Sequence, residues 1–307
     1  MKVSIVTPSY NQAQFLEETI VSVLGQDYPD LEYVVVDDGS SDGSIEIARR
    51  YESRLHELVV QENAGQVAAI NRGFEHTTGE LMAYVNSDDT LLPGAVTEMV
   101  AEFESDPGLV LVYGDALYTD ASSKPTGYLT SRAWDPPTMV RNCDNHVVQP
   151  SSMWTRVAWN EAGPFDELAY YYFDFEFYLR VSAVGRAKHV PRPWSTYRLH
   201  EDSKSEGDQR RKAYDQIRFA DTFLTSARLP ASLRGYVREG RARARVSAAN
   251  NIYRELELGP ARRWVLEALA MHPRSASRLS LSLTAKSLLP KPVVRRLKER
   301  RRAARRR

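Results

Sequence analysis

The chain has 307 residues, 42% of them hydrophobic and 26% charged, enough apolar content for one large domain or two small ones. A lone cysteine, Cys143, excludes a disulfide scaffold and reads as a free thiol of a reducing compartment, and apolar runs such as Leu109–Tyr113 fall far short of the roughly 18 residues of a spanning helix. The net charge of +1 conceals an asymmetry: between Lys286 and Arg307 stand eleven Lys/Arg and one Glu, a tail of +10 that leaves the first 285 residues at −9.

The N-terminus reads as having no secretory signal, because Lys2 is followed at once by a short β-branched run and a proline. That run, Lys2–Thr7, is the first expected strand. Gln14–Gln26 carries apolar residues at Phe15, Ile20, Val23 and Leu24, a helical spacing. Leu31–Asp37 is nearly all apolar before its acidic end, as suits a parallel strand covered on both faces. Helix 45–52, strand 55–61, helix 67–76 and strand 81–86 follow. Pro93 opens a helix over 95–104, and Leu109–Tyr113 is a fifth strand. This alternation predicts an α/β fold: an open, mostly parallel sheet with helices on both faces, binding its ligand at the carboxyl ends of the strands.

Beyond residue 115 the pattern loosens. Segment 115–150, with Pro125, Pro136, Pro137 and Pro150, reads as loop-rich. Helices are expected at 156–162 and 174–184 and a strand at 193–199. After Ser205 only helices are expected, over 208–228, 232–257 and 260–271, the last two resembling a single tetratricopeptide-type hairpin.

Three polar clusters fall at expected strand ends: Thr7-Pro8-Ser9-Tyr10-Asn11, Asp37–Asp42 and Asn86-Ser87-Asp88-Asp89. Each alone is ordinary turn and capping chemistry. Together on one rim they describe a site. No Gly-x-Gly-x-x-Gly and no Gly-rich loop ending in Lys-Ser/Thr is present, so neither phosphate cradle is indicated. Asp38 can instead accept hydrogen bonds from a base or ribose, Tyr10 offers a ring for stacking, and Asp88-Asp89 are hard oxygen ligands suited to Mg²⁺ or Mn²⁺ and hence to a diphosphate.

The stretches VSIVTPSYNQAQFLEETIVSVLGQDYP, EYVVVDDGSSDGS, ENAGQVAAINRGFEHTTGE and LMAYVNSDDTLLPGAV resemble the family 2 glycosyltransferases of GT-A fold. The resemblance continues through VVQPSSMWTR, GPFDE, YYYFDFEFYLRVSAVG and YRLH, about 200 residues in all. It implies a GT-A domain over 1–205, in which residues 1–115 bind the nucleotide and residues 116–205 the acceptor. A helical extension over 206–273 and a basic tail over 274–307 complete the expected organisation. The resemblance further implies that Thr7, Pro8 and Tyr10 line the nucleotide pocket, that Asp38 accepts a uracil or thymine N3–H, and that Asn71 flanks base and ribose, although Ile70 replaces the Arg often found before that Asn. Asp89 is implied as the direct metal ligand, Asp88 as lying near the donor sugar or ribose, and Asp174 as the catalytic base. Arg198 and His200 belong to a loop that closes over the diphosphate, His200 as an added metal ligand, and Gln149 lies where the acceptor approaches. The Gln-x-x-Arg-Trp motif of processive synthases is absent, Pro260 standing where it would put its Gln before Arg263-Trp264, so transfer of single sugars is expected.

The implied partners are a nucleotide sugar donor and a glycan or lipid-linked acceptor. No aromatic residue interleaves the arginines of Lys291–Arg307, which argues against nucleic acid. With the apolar Leu279–Leu289 before it, the tail reads as an attachment to anionic membrane at the cytoplasmic face, or as a solvated segment. Two rivals are a nucleotidyltransferase, which wants a Gly-rich loop after the first strand, and a non-catalytic scaffold, which has no need of four acids at Asp38, Asp88, Asp89 and Asp174.

Overall fold

The computed structural model describes residues 1–201, 203–204, 207–275 and 292, so the basic tail from Lys286 to Arg307 lies outside the described residues apart from 292. Strand β1 (Val3–Ser9) is buried throughout, and β2 (Leu31–Asp37), β3 (Glu57–Val60) and β4 (Leu81–Tyr84) line up parallel with it. Between them run α1 (Ala13–Leu24), α2 (Ser44–Arg50) and α3 (Gln66–Glu75); α4 (Ala95–Ser105) then leads to β5 (Leu109–Thr119). There follow β6 (Pro125–Leu129), α5 (Pro136–Asn142), β7 (Ser152–Thr155), α6 (Arg156–Ala162), α7 (Phe173–Val181) and β8 (Arg186–Arg198). Helices α8 (Gln209–Thr222), α9 (Val237–Arg254) and α10 (Leu258–Met271) close the described chain.

The eight strands form one sheet in the order β3-β2-β1-β4-β7-β5-β6, with β8 beside β5. Strand β7 enters antiparallel between β4 and β5, and β6 is antiparallel to β5; the other six strands run the same way. The carboxyl ends of β1, β2, β4, β5 and β8 therefore share one rim. The order reverses between β1 and β4, where an open sheet leaves a crevice.

Period-two alternation distributes the apolar strand residues to two faces. Val3 and Ile5 of β1 and Leu81 and Ala83 of β4 join Leu16 and Ile20 of α1 and Met99 and Phe103 of α4 in one core layer. On the opposite face Trp154 of β7 meets Phe177 of α7 at 5.1 Å between ring centroids, and Phe74 of α3 meets Trp159 of α6 at 4.9 Å. Proline in a central strand needs an explanation. Pairing of β1 with β4 ends at Val6–Tyr84, so the imide nitrogen of Pro8 falls beyond the last ladder bond on that side.

The chain divides into two compact units: residues 1–134 with 145–205, and residues 135–144 with the described residues from 207 onward. Segment 115–150 is more regular than its prolines suggest. Pro136 and Pro137 occupy the first turn of α5, and the Asp135 side chain accepts the Thr138 N–H at 3.0 Å, so these prolines start a helix rather than break one. In the second unit Ala213, Ala248, Ala249, Ala261, Trp264 and Val265 form the core, and Arg245, buried, holds Asp221 at 2.7 Å and Glu267 at 2.9 Å.

Candidate active site

All three polar clusters lie on the common rim. The carboxylate of Asp38, 2% exposed, accepts the Gln61 side-chain amide and the backbone N–H groups of Ala64 and Gly65, each at 2.8 Å. Gly39 turns the chain at φ 78°, where a Cβ would come within 3.0 Å of the Asn63 nitrogen, and Gly65 sits at φ 94° ahead of α3. Only glycine takes such angles cheaply, and both let loop 61–65 fold over Asp38. The Tyr10 ring stands at the rim, 48% exposed, as a stacking platform requires. Thr7 is fully buried, its hydroxyl accepting the Tyr33 O–H at 3.0 Å, so it supports the pocket floor instead of lining it. The rest of the second cluster is scaffolding: Asp42 accepts the Ala13 N–H at 2.9 Å and so caps α1 from a neighbouring loop.

The acid turn after β4 is pinned from several sides. Thr19 of α1 donates to the Asp89 carbonyl at 2.7 Å, and Thr196 of β8 accepts the Thr90 N–H at 3.0 Å. Asp89, expected as the direct metal ligand, is turned inward: it is 3% exposed and accepts the Arg198 N–H at 2.9 Å. Burial, then the adjacent Asp88, push its carboxyl well above the usual range, while Arg198 and Asn86 act in the opposite sense. Asp88 is the more open of the two, and its Oδ2 lies 3.1 Å from Nε2 of His200. His200 rests on the Phe15 ring at 4.6 Å.

Arg198 departs from its expected place over a diphosphate. Its side chain is 1% exposed, and its guanidinium is spent on the protein: the Asp88 carbonyl at 2.7 Å, Ser123 at 2.8 Å and Glu18 at 2.7 Å. It braces the acid turn from beneath. Asn71 departs likewise. Both ends of its amide are tied to the loop before α7, donating to the Phe165 carbonyl at 2.9 Å and accepting the Phe165 N–H at 3.2 Å, which leaves it a structural tie. Gln149 is buried rather than facing an acceptor; it donates to the Tyr84 carbonyl at 2.8 Å and accepts from Asn86 at 3.3 Å.

Asp174 stands in the first turn of α7. The Phe175 N–H donates to its Oδ1 at 2.7 Å, and Asn145 donates to its Oδ2 at 3.3 Å. Tyr84, the last residue of β4, packs its ring 6.1 Å from that of Phe173, the neighbour of Asp174, and burial, then the Asp174 charge, raise its hydroxyl well above its ordinary range. Glu176 is buried beside Arg180, whose guanidinium clamps the carbonyls of Gly163 and Pro164 at 2.7 and 2.8 Å. Sequence reading missed Gln66, Asn145 and Lys204, polar residues between motifs whose roles depend on contacts distant in sequence.

The residue types fit a divalent cation. The Asp88 carboxylate is a donor that Mn²⁺ or Mg²⁺ sites use, the His200 imidazole beside it is a nitrogen donor of the kind softer divalent metals favour, and a positive ion would relieve the repulsion between Asp88 and Asp89. Among the described residues no three His, Cys, Asp or Glu side chains gather into a group that could hold a metal ion by itself.

A twisted sheet with its acids at one rim and a crevice at the β1/β4 reversal defines a GT-A-type fold, and solved structures bear this out. The chain superimposes on Staphylococcus aureus TarS 1-349 in complex with UDP-GlcNAc with a TM-score of 0.66 at 18% identity, covering 96% of this chain and 86% of TarS 1-349. It superimposes on the mannosyltransferase PcManGT of Pyrobaculum calidifontis, in complex with GDP-Man and Mn²⁺, with a TM-score of 0.57 at 18% identity, covering 97% and 86%. Residues 4–160 match the family described as Glycosyl transferase family 2, and the chain belongs to that family. Among its relatives is TuaG of Bacillus subtilis (strain 168), a glycosyltransferase named for teichuronic acid biosynthesis, 41% identical over 90 residues, or 28% of this chain. The match spans 36% of the length of TuaG.

Proposed function

We propose that the chain is an inverting glycosyltransferase that moves a single sugar from a UDP- or dTDP-type donor to a glycan or lipid-linked acceptor, in the assembly of a cell-surface polysaccharide. The observation that carries this reading is the shared rim: a stacking tyrosine and Asp38 at the β1 and β2 ends, and the Asp88–His200 pair with Asp174 around the end of β4. The UDP-GlcNAc held by TarS and the GDP-Man and Mn²⁺ held by PcManGT support a nucleotide sugar donor, and the name of TuaG supports polysaccharide synthesis.

Tyr10 and Asp38 bind the base, Tyr10 by stacking and the Asp38 carboxylate by accepting the base N–H. Asp88 and His200 would hold a divalent cation, with Asp89 behind them, and a cation bound there would supply positive charge for the leaving diphosphate. Asp174, oriented by Asn145, takes the proton of the acceptor hydroxyl as that oxygen attacks the sugar carbon from the face opposite the leaving group. The enzyme works at the cytoplasmic face, drawn to anionic lipid by the tail of +10. No helix among the described residues is long and apolar enough to cross a membrane.

Asp174→Asn tests the reading. It keeps the shape and the bond from the Phe175 N–H but loses the one from Asn145 and cannot take the proton, so sugar transfer falls roughly 10²–10⁴-fold while UDP still binds. Glu176→Gln retains most of the rate. Near wild-type turnover by Asp174→Asn overturns the assignment of the base.

A further inference from the structure

Lys204 lies in the loop after β8, four residues past His200. Its ammonium donates to Oε1 of Gln66 at 2.7 Å and to the carbonyl of Tyr170, and sits 3.8 Å from the centre of the Tyr170 ring. Gln66 opens α3 and passes the contact on: its Nε2 donates to Oδ1 of Asn86 at 2.7 Å. Asn86 then turns its Nδ2 toward Oε1 of Gln149 at 3.3 Å and, as a long contact, toward Oδ2 of Asp89 at 3.5 Å.

The order of donors and acceptors along this chain is fixed from both ends, by Lys204 and by the Tyr84 carbonyl, which takes the Gln149 NH₂ and so turns the Gln149 oxygen to Asn86. An amide can present either end to a neighbour, but an ammonium has three donors and no acceptor. Lys204 therefore forces the oxygen of Gln66 to face it, which turns the Gln66 NH₂ to Asn86. That turns the Asn86 oxygen to Gln66 and leaves the Asn86 NH₂ for Asp89. A flip of either amide would set donor against donor beside Lys204 or acceptor against carboxylate beside Asp89. The other oxygen of Asp89 is already held by the Arg198 N–H at 2.9 Å, so the amide chain fixes the second side of that carboxylate. The same loop sends His200 to Asp88 and Lys204, through two amides, to Asp89.

We propose that Lys204 is a positioning residue of the donor site, acting through Gln66 and Asn86 to orient the Asp88-Asp89 turn that receives the cation and diphosphate. The inference rests on the donor-site reading above and adds to it a residue that reaches the acid turn through two amides. Residues behind metal ligands commonly carry about 10–100-fold in metal affinity.

The test is calorimetric titration of UDP into the full chain, with and without Mn²⁺, which needs no turnover. Lys204→Met removes the donor and weakens Mn²⁺-dependent UDP binding about 10-fold or more, whereas Lys204→Arg, which can still only donate, stays within about 3-fold of wild type. Gln66→Met weakens binding to the same extent. Combining it with Lys204→Met adds no further loss, because residues in one chain are not additive. Wild-type binding by Lys204→Met, or effects that multiply in the double variant, overturns the relay alone. A wild-type protein whose UDP binding gains nothing from Mn²⁺ overturns the donor-site reading and the relay with it.

Discussion

Glu32 offers a stability test far from the chemistry. It sits near the start of β2, at the end of the sheet opposite the acid rim, with a side chain 6% exposed. Burial by itself raises a carboxyl. Here it is outweighed by donors: the hydroxyl of Thr78 at 2.6 Å, the Thr78 N–H at 2.8 Å, Lys2 at 3.0 Å, Ser4 at 2.8 Å and the Gly79 N–H at 3.0 Å. Together they hold Glu32 down to about 2, against an ordinary 4.5. Because the folded state binds this proton more weakly than the unfolded chain, the stabilisation is fully present above about pH 4.5. It drains away as pH falls towards 2. At 1.36 kcal/mol per pK unit the carboxylate contributes about 3 kcal/mol at neutral pH, a large share of a typical 5–15 kcal/mol. Glu32→Gln keeps the shape, but with its oxygen on the Thr78 and Gly79 N–H groups it points an NH₂ at the Lys2 ammonium and the Thr78 hydroxyl, so it should lose about that amount at pH 7. Urea unfolding followed by tryptophan fluorescence from pH 7 to 2.5 measures it, with the curves of the two proteins converging at the acid end. Parallel curves across that range would refute the reasoning.

Arg198→Met should cost about 2–4 kcal/mol of stability and so lower the melting temperature markedly, since it strands buried carbonyl acceptors beneath the acid turn. An unchanged melting temperature with a raised donor KM would return Arg198 to the diphosphate. UDP or dTDP binding should strengthen with Mn²⁺ or Mg²⁺, and Asp88→Ala should abolish that gain; equal affinity in EDTA would sink the assignment. The full-length protein should co-sediment with anionic liposomes and release as salt rises, whereas a chain ending at Arg278 should stay in solution. Equal sedimentation of the two would rule out the tail as an anchor.

The first half of the fold was legible because its strands are self-announcing. Runs such as Val3–Thr7 and Leu31–Val36 are buried on both faces, which writes a continuous apolar stretch into the sequence; β1 to β4 fall within two residues of where that pattern puts them, and β5 starts where expected but runs on to Thr119. The three polar clusters marked the rim for the same reason, each ending such a run. Sequence could not announce β7, a four-residue strand whose place between β4 and β5 depends on pairing with residues about 40 and 70 positions away. Nor could it say which polar side chain faces ligand and which faces protein. Asn71, Gln149 and Arg198 carry the expected chemistry, yet Phe165, Tyr84 and Glu18 consume their hydrogen bonds. Composition and period set the layers of this protein; long-range hydrogen bonding, which leaves no period in the chain, decided which residues of the rim remain available to a substrate.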